Sequence, residues 1–288
     1  MKIQAVLILL LSVLTGPLAR AGELQSFPDV TLVPTDWADG DSFRVRFPNG
    51  EEHTLRLYGA DCLEWHVSTD TDARRLRAQR RYFGISTHGE SPQESIDLAK
   101  FMGKAAAVEV RKLLEHPFTV HTAFADGRGD GRFHRIYAFV ELHDGRDLAT
   151  TLVGKGLARA YGVYRGQIDG TSRDEFRELL KDRELVAARK GVGIWSYTDW
   201  ETLPDERRAE RREEEEAQMA MGKGEPTQAV QINTASRDEL MQIPGIGEVT
   251  ANRIIEARPF VSPEDLLRVN GIGMKTLQKI QPYLAEVE

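Results

Sequence analysis

The chain has 288 residues, 41% of them hydrophobic, a formal net charge of −7 and a single cysteine, Cys62. That length suits two domains, one cysteine excludes an internal disulfide framework, and no apolar run is long enough to predict a membrane-spanning helix. The acidic balance excludes binding of nucleic acid by net field alone, so any such contact needs local basic patches or backbone groups. The most acidic stretch for its length is 201–228, with a net −4, while 229–288 carries −2.

In chain order, Lys2, the largely apolar run Ile3 to Leu14 and Ala19-Arg-Ala21 follow the order of a secretory signal, which predicts cleavage after Ala21 and export to a secreted or periplasmic location. Val30–Val33, Ser42–Phe47 and His53–Tyr58 alternate as strands, with Pro48-Asn-Gly50 marking a turn between the last two. Residues 65–100 are polar and contain Gly84, Gly89 and Pro92, which predicts a long loop with room for one short helix. Within it, residues 74–81 hold five arginines in eight positions, equally suited to a solvated face and to phosphate contact. Residues 99–115 predict an amphipathic helix, 118–124 and 135–142 strands, 147–155 a helix ending at Gly156, 157–164 a further strand, and 173–190 a helix ending at Gly191.

Residues 201–228 mix charges of both signs and cannot bury a core alone, which predicts a frayed helix running into a flexible linker. Beyond it lies an internal repeat. Leu240-Met-Gln-Ile-Pro-Gly-Ile-Gly247 matches Leu266-Leu-Arg-Val-Asn-Gly-Ile-Gly273 at a period of 26 residues. Each copy reads as a short helix, a Gly-x-Gly turn and a second helix, with capping signals at 233–236 and 262–265.

The chemistry-bearing residues gather early. Asp39-Gly-Asp-Ser-Phe leads into one strand, Arg56 sits on the next, and Asp61 and Glu64 follow five and eight residues later. Three carboxylates and a guanidinium brought together this way suit a hard cation and a phosphodiester. Further on stand Asp130-Gly-Arg-Phe-His-Arg135-Ile-Tyr-Ala-Phe, Leu152-Val-Gly-Lys-Gly156-Leu-Ala-Arg-Ala-Tyr161 and Gly193-Ile-Trp195-Ser196.

In this order the motifs resemble the thermonuclease, or staphylococcal-nuclease-like, family over residues 29–196, apart from an extra segment of about 25 residues before the 99–115 helix. The resemblance implies an OB-type five-stranded β-barrel with packed helices, an α+β fold. It implies calcium bound by Asp41, Asp61 and the backbone carbonyl of Cys62, phosphate gripped by Arg56 and Arg135, and water oriented or deprotonated by Glu64. Phe133 and Tyr164 fall at nucleotide-pocket positions, where core packing is the alternative. The implied reaction is hydrolysis of DNA and RNA to 3′-phosphates. One departure bears on it: Cys62-Leu63 replaces the usual Ala/Thr-Pro before Glu64, and the loss of proline loosens the turn that aims the carboxylate.

The repeats at 231–285 resemble paired helix-hairpin-helix motifs of competence-type DNA receptors. That implies a small all-α domain holding DNA by its backbone through amides beside Gly245, Gly247, Gly271 and Gly273, supported by Lys275 and Arg253. The alternative is a helical protein-interaction module. Together these readings predict a signal peptide at 1–21, a nuclease domain at 22–200, a charged linker at 201–230 and a DNA-binding domain at 231–288. The expected protein is an exported, monomeric, calcium-dependent endonuclease of little sequence specificity, without membrane association once the signal is removed. The rival is a non-catalytic nucleic-acid binder built on a nuclease fold.

Overall fold

The computed structural model describes residues 23–126, 135–220 and 229–285. Residues 1–22, where a signal segment is expected, residues 127–134, which include Phe133, and residues 221–228 and 286–288 lie outside the described residues.

The first strands are β1 (Gln25–Val33), β2 (Ser42–Arg46) and β3 (Glu52–Leu57). The β2–β3 hairpin closes at Gly50, whose φ of 88° favours glycine. Alternation works as expected: Phe43, Val45, Leu55 and Leu57 are buried, while Arg44, Arg46 and Glu52 face outward. After the short β4 (Ala60–Cys62) come two helices, α1 (Asp70–Phe83) and α2 (Pro92–Leu113).

These helices correct the loop expected at 65–100, and the residues that suggested a loop turn out to be helix boundaries. Thr69 and Asp72 form a capping box at the start of α1, and Gly84 ends it in the left-handed conformation, φ 66°. Ser91 caps α2 with Pro92 in its first turn, so this helix begins seven residues earlier than the periodicity at 99–115 indicates. The apolar signal of α1 is weak because its buried face is only Leu76, Gln79 and Phe83.

β5 (Phe118–Asp126) and β6 (Arg135–Glu141) complete a closed barrel in the order β1-β2-β3-β6-β5, with β3 and β6 parallel. Then follow α3 (Leu148–Gly154), β7 (Ala158–Ala160), which pairs with β4, and α4 (Arg173–Lys190). The barrel core includes Val30, Phe43, Leu55, Val120, Val140 and Leu152. A second cluster, with Leu63, Leu76, Phe83, Met102 and Trp195, locks α1 and α2 to the turn after β4.

The charged stretch begins as α5 (Leu203–Ala220), and it is docked rather than frayed against solvent. Leu203 is buried, Arg207 donates to the Tyr82 carbonyl at 3.0 Å, and Arg81 pairs with Glu210 and Glu213 at 2.8 Å. Its acidic residues thus answer the arginine run of α1.

The C-terminal unit contains α6 (Arg237–Gln242), α7 (Glu248–Glu256), a 3-10 turn at Pro263–Arg268 and α8 (Met274–Ile280) around its own core of Ile232, Leu240, Ile246, Ile254, Leu266 and Ile280. The architecture is α+β with a separate small helical unit, as expected.

Candidate active site

The site lies on the outer face of β2, β3 and β6. Ser42 is opposite Arg56 in the antiparallel register, and Thr54 is opposite Arg135 in the parallel one. Because side chains alternate along a strand, Arg56 and Arg135 emerge on one face as diagonal neighbours. Arg135 donates to Ser42 Oγ at 3.1 Å. Asp41 immediately precedes β2, and its carboxylate accepts from Ser42 Oγ at 3.0 Å and from the Cys62 amide at 3.1 Å. Arg56 Nη2 lies 3.7 Å from Asp41 and 3.4 Å from Asp61. The fold therefore brings Asp41, Arg56, Asp61, Glu64 and Arg135 together from segments almost a hundred residues apart.

Gly40 is needed for this approach. A Cβ there would lie 2.6 Å from Cys62 Sγ and 2.9 Å from Ala106 Cβ, so the middle residue of Asp-Gly-Asp must be small to let the two acidic segments meet. The Cys62 thiol packs into this gap, and burial pushes its pKa well above the usual thiol value. It behaves as a small apolar group.

Three further residues define the site, and all were missed as site residues in the sequence. Arg75 of α1 forms a close pair with Asp61, lies 3.6 Å from Asp41 and pairs with Glu64 at 2.5 Å. Gln79, one helical turn on and fully buried, donates to the Cys62 carbonyl at 2.7 Å and to Asp61 at 2.9 Å, and accepts from the Glu64 amide at 2.9 Å. Arg159 of β7 donates to Asp61 at 2.7 Å, with its guanidinium 5.0 Å from the Tyr82 ring and 4.0 Å from the Tyr161 ring. Arg75 belongs to the arginine run, whose members divide. Arg75 faces the acidic cluster, Arg77 and Arg81 face α5, and Arg74 bonds Thr71. The available signal was helical spacing, which puts Arg75 beside Gln79 and Gln79 on the Leu76–Phe83 face.

Gln79 also answers the departure at Cys62-Leu63. Its amide brackets the turn, holding the carbonyl of Cys62 and the amide of Glu64, while Leu63 is buried under α1 and α2. Gly103 of α2 sits against the Leu63 carbonyl with no room for a side chain. Packing and hydrogen bonds from the two helices restrain the backbone where a proline ring would otherwise do so.

The electrostatics follow from this crowding. Burial alone would raise the Asp61 pKa, but Arg75, Arg159 and Arg56 outweigh it and hold the carboxyl well below the usual range. Burial, with Asp41 and Glu64 nearby, pushes Asp39 well up, and burial also raises Glu64 despite Arg75. Burial and Arg56 lower Arg135.

A calcium ion takes roughly six to eight oxygen ligands. Among the described residues no group of three or more His, Cys, Asp or Glu is arranged to hold a metal. Both Asp61 oxygens and the Cys62 carbonyl already accept from Arg75, Arg159 and Gln79. Placed this way, the donors do not fit a calcium ion.

Of the other expected residues, Tyr164 is half-buried and packs edge-on to Phe176 at 6.5 Å, on the core side. In the helical unit Gly245 and Gly271 adopt φ of 108° and 101°, where glycine is required. Gly247 and Gly273 instead cap α7 and α8 at φ −97° with open space around them, and both are exposed. Lys275 is exposed, and Arg253 donates to the Asn270 carbonyl at 2.8 Å.

A closed barrel with this guanidinium–carboxylate face, followed by a twice-repeated helical hairpin, defines a nucleic-acid-binding protein of the nuclease type. The chain belongs to the staphylococcal nuclease homologue family, whose model matches residues 54–197, half its length. A helix-hairpin-helix motif matches residues 225–285. No curated protein matches the chain. The family match begins at β3, so Asp41 and the first two strands come to the site through barrel closure rather than through the matched span.

Proposed function

We propose that the protein is an exported endonuclease that hydrolyses phosphodiester bonds of DNA and RNA with little sequence specificity. The observation that carries this reading is the juxtaposition of Arg56 and Arg135 on neighbouring strands with Glu64 across the same acidic cluster. Two forked guanidinium groups can hold the non-bridging oxygens of one phosphate and offset charge as it builds on phosphorus. Glu64, raised in pKa by burial, suits the removal of a proton from water. The water oxygen bonds to phosphorus and its proton passes to the Glu64 carboxylate. The P–O5′ bond breaks, and O5′ takes up a proton from solvent, leaving a 3′-phosphate and a 5′-hydroxyl. Calcium dependence, typical of the family's nucleases, is not carried into this mechanism, because its donors are engaged by Arg75, Arg159 and Gln79.

The helical unit supplies affinity. Amides at the starts of α7 and α8 can approach the DNA backbone through the exposed Gly247 and Gly273 without reading bases. Holding DNA on the same chain raises its effective concentration at the barrel.

The test is nicking of supercoiled plasmid and cleavage of RNA by the full chain, with end-group analysis. Glu64→Gln is expected to lose cleavage by roughly two to four orders of magnitude while DNA affinity is retained, and unchanged cleavage would remove Glu64 from its role. One observation favours the rival, non-catalytic reading: Glu64 is paired with Arg75, which weakens a carboxylate as a base. DNA binding with no nicked product in the wild type would establish it.

A further inference from the structure

Arg75 stands where three segments converge. Its guanidinium bridges Asp41 before β2, Asp61 in β4 and Glu64 after it, the carboxylates that the family resemblance gives to the metal and to the attacking water. Asp41, Asp61 and Glu64 face Arg56, Arg75 and Arg159, and Arg135 and Asp39 add one further basic and one further acidic group, four of each. A divalent cation would enter a cluster with no excess of carboxylates over guanidinium groups. It would also have to displace Gln79, which is fully buried and bonded at both ends of its amide.

Helix α1 is not built as a lid. Leu76 and Phe83 are buried in the second core cluster, and Arg77 and Arg81 are tied to Glu213 and Glu210 of α5. Its N-terminus and C-terminus are both capped. The side chain it delivers is therefore a resident of the site.

Resting on the nuclease reading above, we propose that Arg75 is the site's built-in cation. It is a positioning residue that holds Asp41, Asp61 and Glu64 in register and neutralises them, so that a phosphodiester reaches Arg56 and Arg135 without a divalent metal. Guanidinium is permanently charged and forked, which suits bridging of carboxylates from separate segments.

Two measurements on the full chain test this. The first is plasmid cleavage in EDTA and in added calcium chloride. The wild type is expected to cleave in EDTA within about threefold of its rate in calcium, a difference worth less than a tenfold step in rate. Arg75→Ala is expected to lose roughly a hundredfold in EDTA, with partial rescue in Arg75→Lys, and with circular dichroism establishing that both variants fold. Cleavage by the wild type that stops in EDTA and returns with calcium overturns the proposal. The second is calorimetric titration with calcium chloride alone, which needs no activity. No binding by the wild type and binding gained in Arg75→Ala supports the proposal, and any other pattern overturns it. If the wild type cleaves under neither condition, the nuclease reading fails and the calcium titration alone decides the place of Arg75.

Discussion

Replacing Gln79 by leucine is the sharpest perturbation of this site that leaves its charges in place. Gln79 is fully buried, and its amide serves the Cys62 carbonyl, the Glu64 amide and Asp61. In Gln79→Leu the Cys62 carbonyl and the Glu64 N–H both lose a partner, at residues only 2% and 9% exposed. An orphaned buried polar group costs about 1–3 kcal/mol, so the pair costs about 2–6 kcal/mol. Asp61 keeps Arg159 and adds little. Apolar burial of the leucine returns about 1 kcal/mol, which leaves a net loss of about 1–5 kcal/mol. Urea unfolding followed by tryptophan fluorescence measures it cleanly, because Trp37, Trp65, Trp195 and Trp200 all precede the helical unit. Gln79→Glu should lose more, since it keeps the acceptor for Glu64 but sets another carboxylate against Asp61. A Gln79→Leu midpoint equal to that of the wild type, with unchanged slope, would refute the view that this amide restrains the turn carrying Glu64.

Arg159→Ala removes one of three guanidinium partners of Asp61, which keeps Arg75 and Arg56, and should destabilise by about 1–3 kcal/mol. The Asp61 pKa is depressed in the folded state, so the stability it contributes is present above the unfolded value and is lost as pH falls; Arg159→Ala should begin acid unfolding at higher pH, read by circular dichroism. Asp39 is shifted the other way, its folded pKa raised, so between the unfolded and folded values the wild type loses stability as pH rises. The stability advantage of Asp39→Asn over the wild type should accordingly grow as pH climbs from about 4 and then level off, as urea midpoints across pH would show. Gly247→Ala and Gly273→Ala meet no neighbour and no positive φ, so melting should be unchanged within about 1 kcal/mol. Duplex affinity should nonetheless drop several-fold where the glycines admit a phosphate, and undiminished affinity in fluorescence anisotropy would assign the helical unit to another partner.

The barrel strands are legible in the sequence because alternation and a glycine turn carry them, while Asp41, Arg56, Asp61, Glu64 and Arg135, which the fold brings together, stand out through the order of motifs that resembles the nuclease family. Helix α1 was not, because its buried face holds only three residues, one of them Gln79, within a strongly polar and charged segment that reads as solvated. The same weakness hid Arg75 and Gln79, whose partners lie in β4 and just beyond it and are set by tertiary packing. The docking of α5 was hidden for a related reason. A mixed charge run reads as solvated until the complementary run on α1 is placed beside it. Arg159 stood in view within Gly-Leu-Ala-Arg, but only the β4–β7 pairing puts it against Asp61.

The parallel pairing of β3 with β6 works as a ruler. The separation of Arg56 and Arg135 is fixed by the hydrogen-bond register of two adjoining strands, Thr54 with Arg135 and Arg56 with Tyr137, and not by the length of chain between them. That intervening chain can lengthen without changing the gap between the guanidinium groups, provided the two strands still zip in the same register. Helix α1 lies in that intervening chain. It adds to the protein beside a guanidinium pair whose spacing the strand register sets, so the acidic end of the site can change while the proposed phosphate grip keeps its gauge.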